Sequence, residues 1–266
     1  MTSDLTIGQY TLVYNVLSFV IAAMLGSFFF FVLSRDQVSR RYRLAVTVAA
    51  VVVLVAAYHY FRIFNSWVDA YATQNNVYIP TGMAFNDAYR YVDWLITVPL
   101  LMVELIAVLD LPKATARSLF FKLVLAAVAM IALGYPGEIS RDFNTRMLFW
   151  VLSMIPFLYI LYVLYFRLSE AINSQPEVVK NYISVLRNLT LVAWSFYPIA
   201  YLINMSGSSN NFVGVQVGYS IADVVAKCGY GLIIFWIARA KTELEDKNYG
   251  KDYPRDREFA RDRELV

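Results

Sequence analysis

The chain has 266 residues, of which 59% are apolar and only 16% charged, with a formal net charge of +3. A soluble domain carries about a quarter charged residues, so this composition excludes an ordinary water-soluble protein and points to a membrane. Nucleic acid is not an expected partner, because no basic stripe exists and the aromatics lie inside apolar segments; the single Cys228 excludes an internal disulfide and any multi-cysteine metal site.

The first residues, MTSDLTIGQYTLVYN, lack the basic flank and small-residue cleavage site of a secretory signal, so the first apolar stretch is expected to stay as a membrane helix. A bilayer core about 30 Å thick needs roughly 20 predominantly apolar residues per helix. Seven segments meet this, at about 10–33, 44–66, 86–108, 116–135, 145–167, 182–205 and 212–239. Pro99, Pro156 and Pro198 fall inside them, which membrane helices tolerate when neighbours satisfy the freed carbonyl. The second connection, VDAYATQNNVYIPTGMAFND, has two short β-prone runs around turn residues and predicts a small hairpin. The expected fold is therefore an all-α membrane protein, a seven-transmembrane-helix bundle with a short extracellular β-hairpin between helices two and three.

Orientation follows from the connections. The first, third and fifth hold Arg35, Arg40, Arg41 and Arg43, then Lys113, Arg117 and Lys122, then Arg167, Lys180 and Arg187; the opposite side has little beyond Arg141 and Arg146. Positive residues stay inside, so the N-terminus is expected outside and the C-terminus in the cytoplasm, in a multi-pass protein of the cell (inner) membrane. Residues 1–240 read as one seven-helix domain. Residues 241–266 mix both charge signs with almost no apolar run and read as a charged cytoplasmic tail, disordered or loosely helical.

Two sets of ionisable residues interrupt the apolar pattern. The third span reads NDAYRYVDWLITVPLLMVELIAVLDL and carries Arg90, Asp93, Thr97 and Glu104. Asp93 and Thr97 are four apart and Asp93 and Glu104 eleven apart, so all three share one face, with roughly 16 Å between the carboxylates along the axis. The last span carries Lys227 with Asp223 four residues before it, on the same face. Charges in hydrocarbon are costly and mark function. A lysine buried beside a carboxylate is either a neutralised ion pair or the anchor of a Schiff base. Carboxylates stacked on one face with an amine between their levels form a proton relay; polar glue between helices is the competing account, which hydroxyls and amides supply more cheaply.

The stretches RYVDWLITVPLLMVE, WSFYPIAYLI, IADVVAK and YHYFRIFNSW, with GYPGEIS and IPFLYILYVL beside them, resemble the microbial rhodopsins, specifically the bacterial proton pumps of the proteorhodopsin and xanthorhodopsin group. The resemblance covers helices two through seven. It implies all-trans retinal bound covalently to Lys227 as a protonated Schiff base, with Asp93 as primary counterion and proton acceptor, Asp223 as second counterion and Glu104 as cytoplasmic donor. Thr97 matches the hydroxyl of the pump motif and Arg90 the arginine beyond the counterions. Sodium pumps would show Asn, Asp and Gln at positions 93, 97 and 104, and chloride pumps lose the acid at 93; neither pattern is present. The physics agrees with these roles. Ionised Asp93 and Asp223 keep a neighbouring Schiff base protonated, whereas Glu104, with few charged neighbours, is expected neutral in the dark.

A lone histidine is usually a satisfied core residue, but His59 matches the one that hydrogen-bonds the acceptor carboxylate in this group, which would couple their titrations. Trp94 and Trp194 match the pair that sandwiches the polyene, and Tyr197 a pocket tyrosine. Tyr201 stands where some relatives have tryptophan, and Leu101 goes with green rather than blue absorption. Tyr91, Met130, Gly134, Ser153, Met154 and Phe157 are expected to complete the pocket. Relatives with a carotenoid antenna have glycine at the position of Trp150, so the resemblance implies that no antenna binds. Ala49 stands where close relatives place a serine beside the donor, leaving Thr47 or water as its partner. The last extracellular connection, SGSSNNFVGVQV, holds no acid and so no counterpart of the paired release glutamates of bacteriorhodopsin.

The leading expectation is a light-driven outward proton pump, a transporter rather than an enzyme, with no metal. Its expected partners are the lipid bilayer, protons and further copies of the chain in a homo-oligomer. The alternative is a sensory photoreceptor signalling through a partner protein; Glu104 separates the two, because sensors usually lack a carboxylic donor. A retinal-free structural or receptor protein is the third reading, which visible absorption bleached by hydroxylamine would exclude.

Overall fold

A computed structural model describes residues 4–205 and 209–252. Its helices are α1 (Ile7–Ser34), α2 (Arg43–Ala70), α3 (Tyr89–Leu109), α4 (Lys113–Ile139), α5 (Phe143–Tyr162), the short α6 (Ser169–Asn173), α7 (Glu177–Asn204), α8 (Ser209–Asp223) and α9 (Tyr230–Asp252). A π-helical stretch Val163–Arg167 extends α5, and a second, Val224–Gly229, joins α8 to α9, so the described residues form seven rods. The second π stretch contains Lys227. Such wide turns are rare and concentrate at functional sites.

The bundle has an apolar outer surface and, inside a mostly apolar core, a line of buried polar and charged residues. Phe19, Leu125, Ile155 and Val192 are exposed on the outer surface, while Arg90, Asp93, Thr97, Glu104, Gln216, Asp223 and Lys227 are buried. Large apolar side chains on the surface around buried charges fit hydrocarbon as the surrounding medium. Among the described residues, six helices are long and apolar enough to cross a membrane. The exception is α7, the sixth expected span. It has the length, but Asn181, Ser184, Arg187, Asn188, Thr190 and Ser195 dilute its apolar character.

The expected hairpin is present and larger than expected. Strands β2 (Tyr71–Gln74) and β3 (Val77–Pro80) pair antiparallel, Tyr71 opposite Pro80 and Gln74 opposite Val77. The two-residue loop is Asn75–Asn76, with φ of 50° and 64°, which suits asparagine and the twist of a tight hairpin. A third strand, β1 (Leu5–Thr6), adds to the free edge of β3. Tyr10 stacks on Tyr78 with ring centroids 3.6 Å apart and also on Trp67, fastening the sheet to one end of the bundle.

At the far end α9 runs through Lys241 to Asp252 without a break. The charged stretch thus begins as a continuation of the seventh rod, and Lys241 is buried. The expected tail beyond it, 253–266, lies outside the described residues.

Candidate functional site

Lys227 lies in the middle of the seventh rod, only 2% exposed. Its Nζ is 2.8 Å from Asp93 Oδ2 on α3 and 2.9 Å from Asp223 Oδ2 one turn earlier. The two sequence sets therefore meet at one nitrogen. An ammonium between two carboxylates leaves this cluster one negative charge in excess, and the surroundings must hold it.

They hold it unevenly. Asp223 accepts hydrogen bonds from Tyr60 Oη at 2.8 Å, Tyr197 Oη at 2.5 Å and Trp94 Nε1 at 3.1 Å. Asp93 has Lys227 at 2.8 Å and His59 Nδ1 at 4.0 Å. Three donors converge on Asp223, whereas Asp93 has only Lys227 within hydrogen-bond distance. The direct His59–Asp93 hydrogen bond expected from the resemblance is not formed, because His59 Nδ1 lies 2.9 Å from the Val55 carbonyl on its own helix and uses its proton there. Thr97 likewise donates to the Asp93 backbone carbonyl at 2.9 Å rather than to its carboxylate.

Arg90 is buried one turn toward the sheet end. Its Nη1 donates to Gln216 Oε1 at 2.7 Å and lies 3.8 Å from Asp87 Oδ2, while Gln216 Nε2 donates to the same Asp87 oxygen at 2.9 Å. The rings of Tyr60 and Tyr219 face its guanidinium at 5.7 and 5.5 Å.

In the other direction along α3, Glu104 is fully buried and its carboxyl oxygens have no hydrogen-bond partner among the described residues. Ala49 offers no hydroxyl, and Thr47, named above as a substitute, donates to the Arg43 carbonyl at 2.8 Å. Tyr230, whose phenol also lies in this region, donates to the Leu101 carbonyl at 3.0 Å. A carboxylate would be stranded here, so the neutral acid is the stable form.

Beside Lys227 runs a cavity lined mainly by apolar and aromatic side chains, the kind of lining that small-molecule sites have. Every residue assigned to the pocket from the sequence lines it: Tyr91, Trp94, Leu101, Met130, Gly134, Ser153, Met154, Phe157, Trp194, Tyr197, Tyr201 and Lys227. Gly134 lets Tyr91 approach; a Cβ there would sit 3.3 Å from the tyrosine ring. An apolar lining that ends at the buried Lys227 amine fits an apolar group attached to that nitrogen. Trp150 lines it as well, and its Nε1 donates to the Pro198 carbonyl at 3.0 Å, tying α5 to α7.

Sequence reasoning missed Tyr60, Gln216 and Tyr219. Gln216 and Tyr219 lie seven and four residues before Asp223, the spacing of one helix face, and Tyr60 adjoins His59. It also missed Glu138, whose Oε2 is buried without a partner among the described residues, and the burial of Lys241.

Residues 11–241 match the family described as bacteriorhodopsin-like protein. The chain is 31% identical over 222 residues to the blue-light absorbing proteorhodopsin of gamma-proteobacterium Hot 75m4, covering 82% of this chain and 83% of that protein. It is 38% identical over 160 residues to the bacteriorhodopsin of Halobacterium salinarum, 59% of each chain. Among solved structures, xanthorhodopsin, titled a light-driven ion pump with dual chromophore, is 52% identical with a TM-score of 0.90, covering 92% of this chain and 99% of that one. A thermophilic rhodopsin is 48% identical, with the same TM-score and coverage.

Proposed function

Since this chain belongs to the bacteriorhodopsin-like family and is a microbial rhodopsin, we propose that it pumps protons outward across the cell membrane when illuminated, with all-trans retinal on Lys227. The observation that carries this reading is the single line of ionisable groups on α3 and the seventh rod, with Asp93 on Lys227 Nζ and Glu104 alone in apolar surroundings. Bound as a protonated Schiff base, retinal would supply the light-driven change that displaces the proton-bearing nitrogen.

The residues do the rest. Lys227 Nζ holds the proton between two carboxylates in the dark. Asp93, without competing donors, takes that proton once the nitrogen's field weakens; Asp223, held by Tyr60, Tyr197 and Trp94, stays ionised and keeps the site's charge fixed. Glu104 carries a proton because it is desolvated, and returns one to the Lys227 nitrogen from the opposite side. Arg90, Gln216 and Asp87 lie on the outward path from Asp93. The basic first, third and fifth connections support placing the sheet outside and the Glu104 end, with the charged residues after 240, in the cytoplasm. Trp150, braced against Pro198, blocks the window an antenna carotenoid would need, and Leu101 favours green absorption.

A sensory photoreceptor is the reading to exclude, and Glu104 is the residue that separates the two. Glu104→Gln keeps the shape and removes the proton. Flash spectroscopy should show loss of the Lys227 proton at the normal rate, recovery about 10²-fold slower, and restoration by azide, a small diffusible acid. Equal recovery in both proteins would remove Glu104 as donor and favour the sensor.

A further inference from the structure

Lys241 is a buried lysine that the pumping scheme does not use. Its Nζ donates to the carbonyls of Val108 and Leu109 at 2.9 and 3.0 Å, the last two residues of α3. Helix ends leave such carbonyls without partners, and here the helix stops at Asp110, which turns into the left-handed conformation with φ 55°. A lysine reaching across from another rod therefore caps α3, with its charge at the negative end of that helix. No carboxylate lies within ion-pair distance of it among the described residues; the Tyr42 ring covers it at 5.4 Å.

An outer layer lies over this cap. Arg41, in the connection before α2, contacts the Asp110 carboxylate and reaches Glu245 of α9 at 3.4 Å. Tyr42 Oη donates to the same Glu245 at 2.6 Å. Burial and that carboxylate both push the Tyr42 phenol above its ordinary range, so it remains a donor. The Ser39 amide and Arg239 add bonds between the same connection and α9, to Thr242 and Gln37. Three separate segments are thus pinned at one point, the cytoplasmic end of the helix that carries Glu104. Leu109 is five residues past Glu104, about 7.5 Å along the axis, and among the described residues no side chain bridges the gap by hydrogen bonding to Glu104.

We propose that Lys241 is the central positioning residue of a cytoplasmic clasp that closes α3 over Glu104, and that release of this clasp controls when Glu104 regains a proton from the cytoplasm. The inference rests on the reading of Glu104 as donor. A closed clasp keeps the acid dry and neutral while it waits; an open one lets water reach it.

The test is light-induced proton uptake from the medium, followed with a pH-indicating dye in retinal-loaded membranes of the full chain. Lys241→Met keeps the stem and removes the cap. It should leave the visible spectrum and the first proton loss unchanged while uptake quickens several-fold. Uptake in the variant should also scale with bulk proton concentration, whereas in the wild type clasp opening limits it and the rate is flat with pH. Lys241→Arg, which can still donate to both carbonyls, should restore the wild-type profile. Unchanged or slower uptake in a coloured Lys241→Met protein overturns the clasp. If that variant yields no coloured protein, Asp110→Asn, which releases Arg41, decides by the same criteria. Absence of uptake in the wild type would instead overturn the pump reading itself.

Discussion

The buried face of α3 has two ends that treat their acids in opposite ways. Asp93, eleven residues from Glu104, faces Lys227, and the partner carboxylate Asp223 on the same nitrogen takes hydrogen bonds from Tyr60, Tyr197 and Trp94. Glu104 has no hydrogen-bond partner among the described residues, and the phenol of Tyr230 in its region is committed to the Leu101 carbonyl. One helix in one membrane thus holds a charge-stabilising end and a charge-refusing end. The difference comes from neighbours, because both acids are equally buried. It teaches that neighbours, and not depth of burial, decide where on this helix an anion can be held.

The most severe way to break this contrast is to remove the group at its centre. Lys227→Ala should abolish visible absorbance in retinal-fed membranes while leaving a folded membrane protein; a variant that keeps its colour without added amine would defeat the assignment of the site. Next in size, Asp93→Asn should shift absorption to the red and lower transport by about 10²-fold or more, since it deletes the accepting base. Acidifying the wild type should give a matching red shift as Asp93 protonates. A spectrum constant from acid to neutral pH would contradict that titration.

A smaller effect is expected from Tyr60→Phe, which removes one of the three donors to Asp223. A hydrogen bond to a charged group contributes about 1.5–3 kcal/mol, so thermal stability should fall accordingly while pumping persists. If pumping vanished instead, Tyr60 would belong to the proton path. Smallest of all, Ala49→Ser gives the dry end a hydroxyl. One neutral hydrogen bond to the donor contributes about 1 kcal/mol, roughly fivefold in rate. Recovery should change by that order, and no change would mean that the serine does not reach Glu104.

The parts legible in the sequence are those that depend on spacing and hydropathy. The rods, the hairpin turn at Asn75–Asn76 and the pairing of Asp223 with Lys227 follow from lengths, turn chemistry and helical periodicity, whereas the approach of Asp93 to Lys227 was implied by the family resemblance. The sixth rod, α7, was visible by length more than by composition. What was not legible depends on which of several similar groups a hydrogen points to. His59 faces the acceptor but bonds to Val55, and Thr97 bonds to its own backbone, choices made by local geometry that residue identity does not encode. Tyr60 and Tyr219 looked like any aromatic in an apolar segment. Lys241 was misread for a different reason: a mixed charge run reads as solvated, yet a four-carbon stem lets one member of it fold back over a helix end.

The central claim is vectorial proton movement, and pH recording of illuminated, retinal-fed cells tests it most directly. The account predicts that the medium acidifies during illumination, returns in the dark, and shows no acidification when a protonophore is present. Coloured cells that leave the pH of the medium unchanged in light would contradict it.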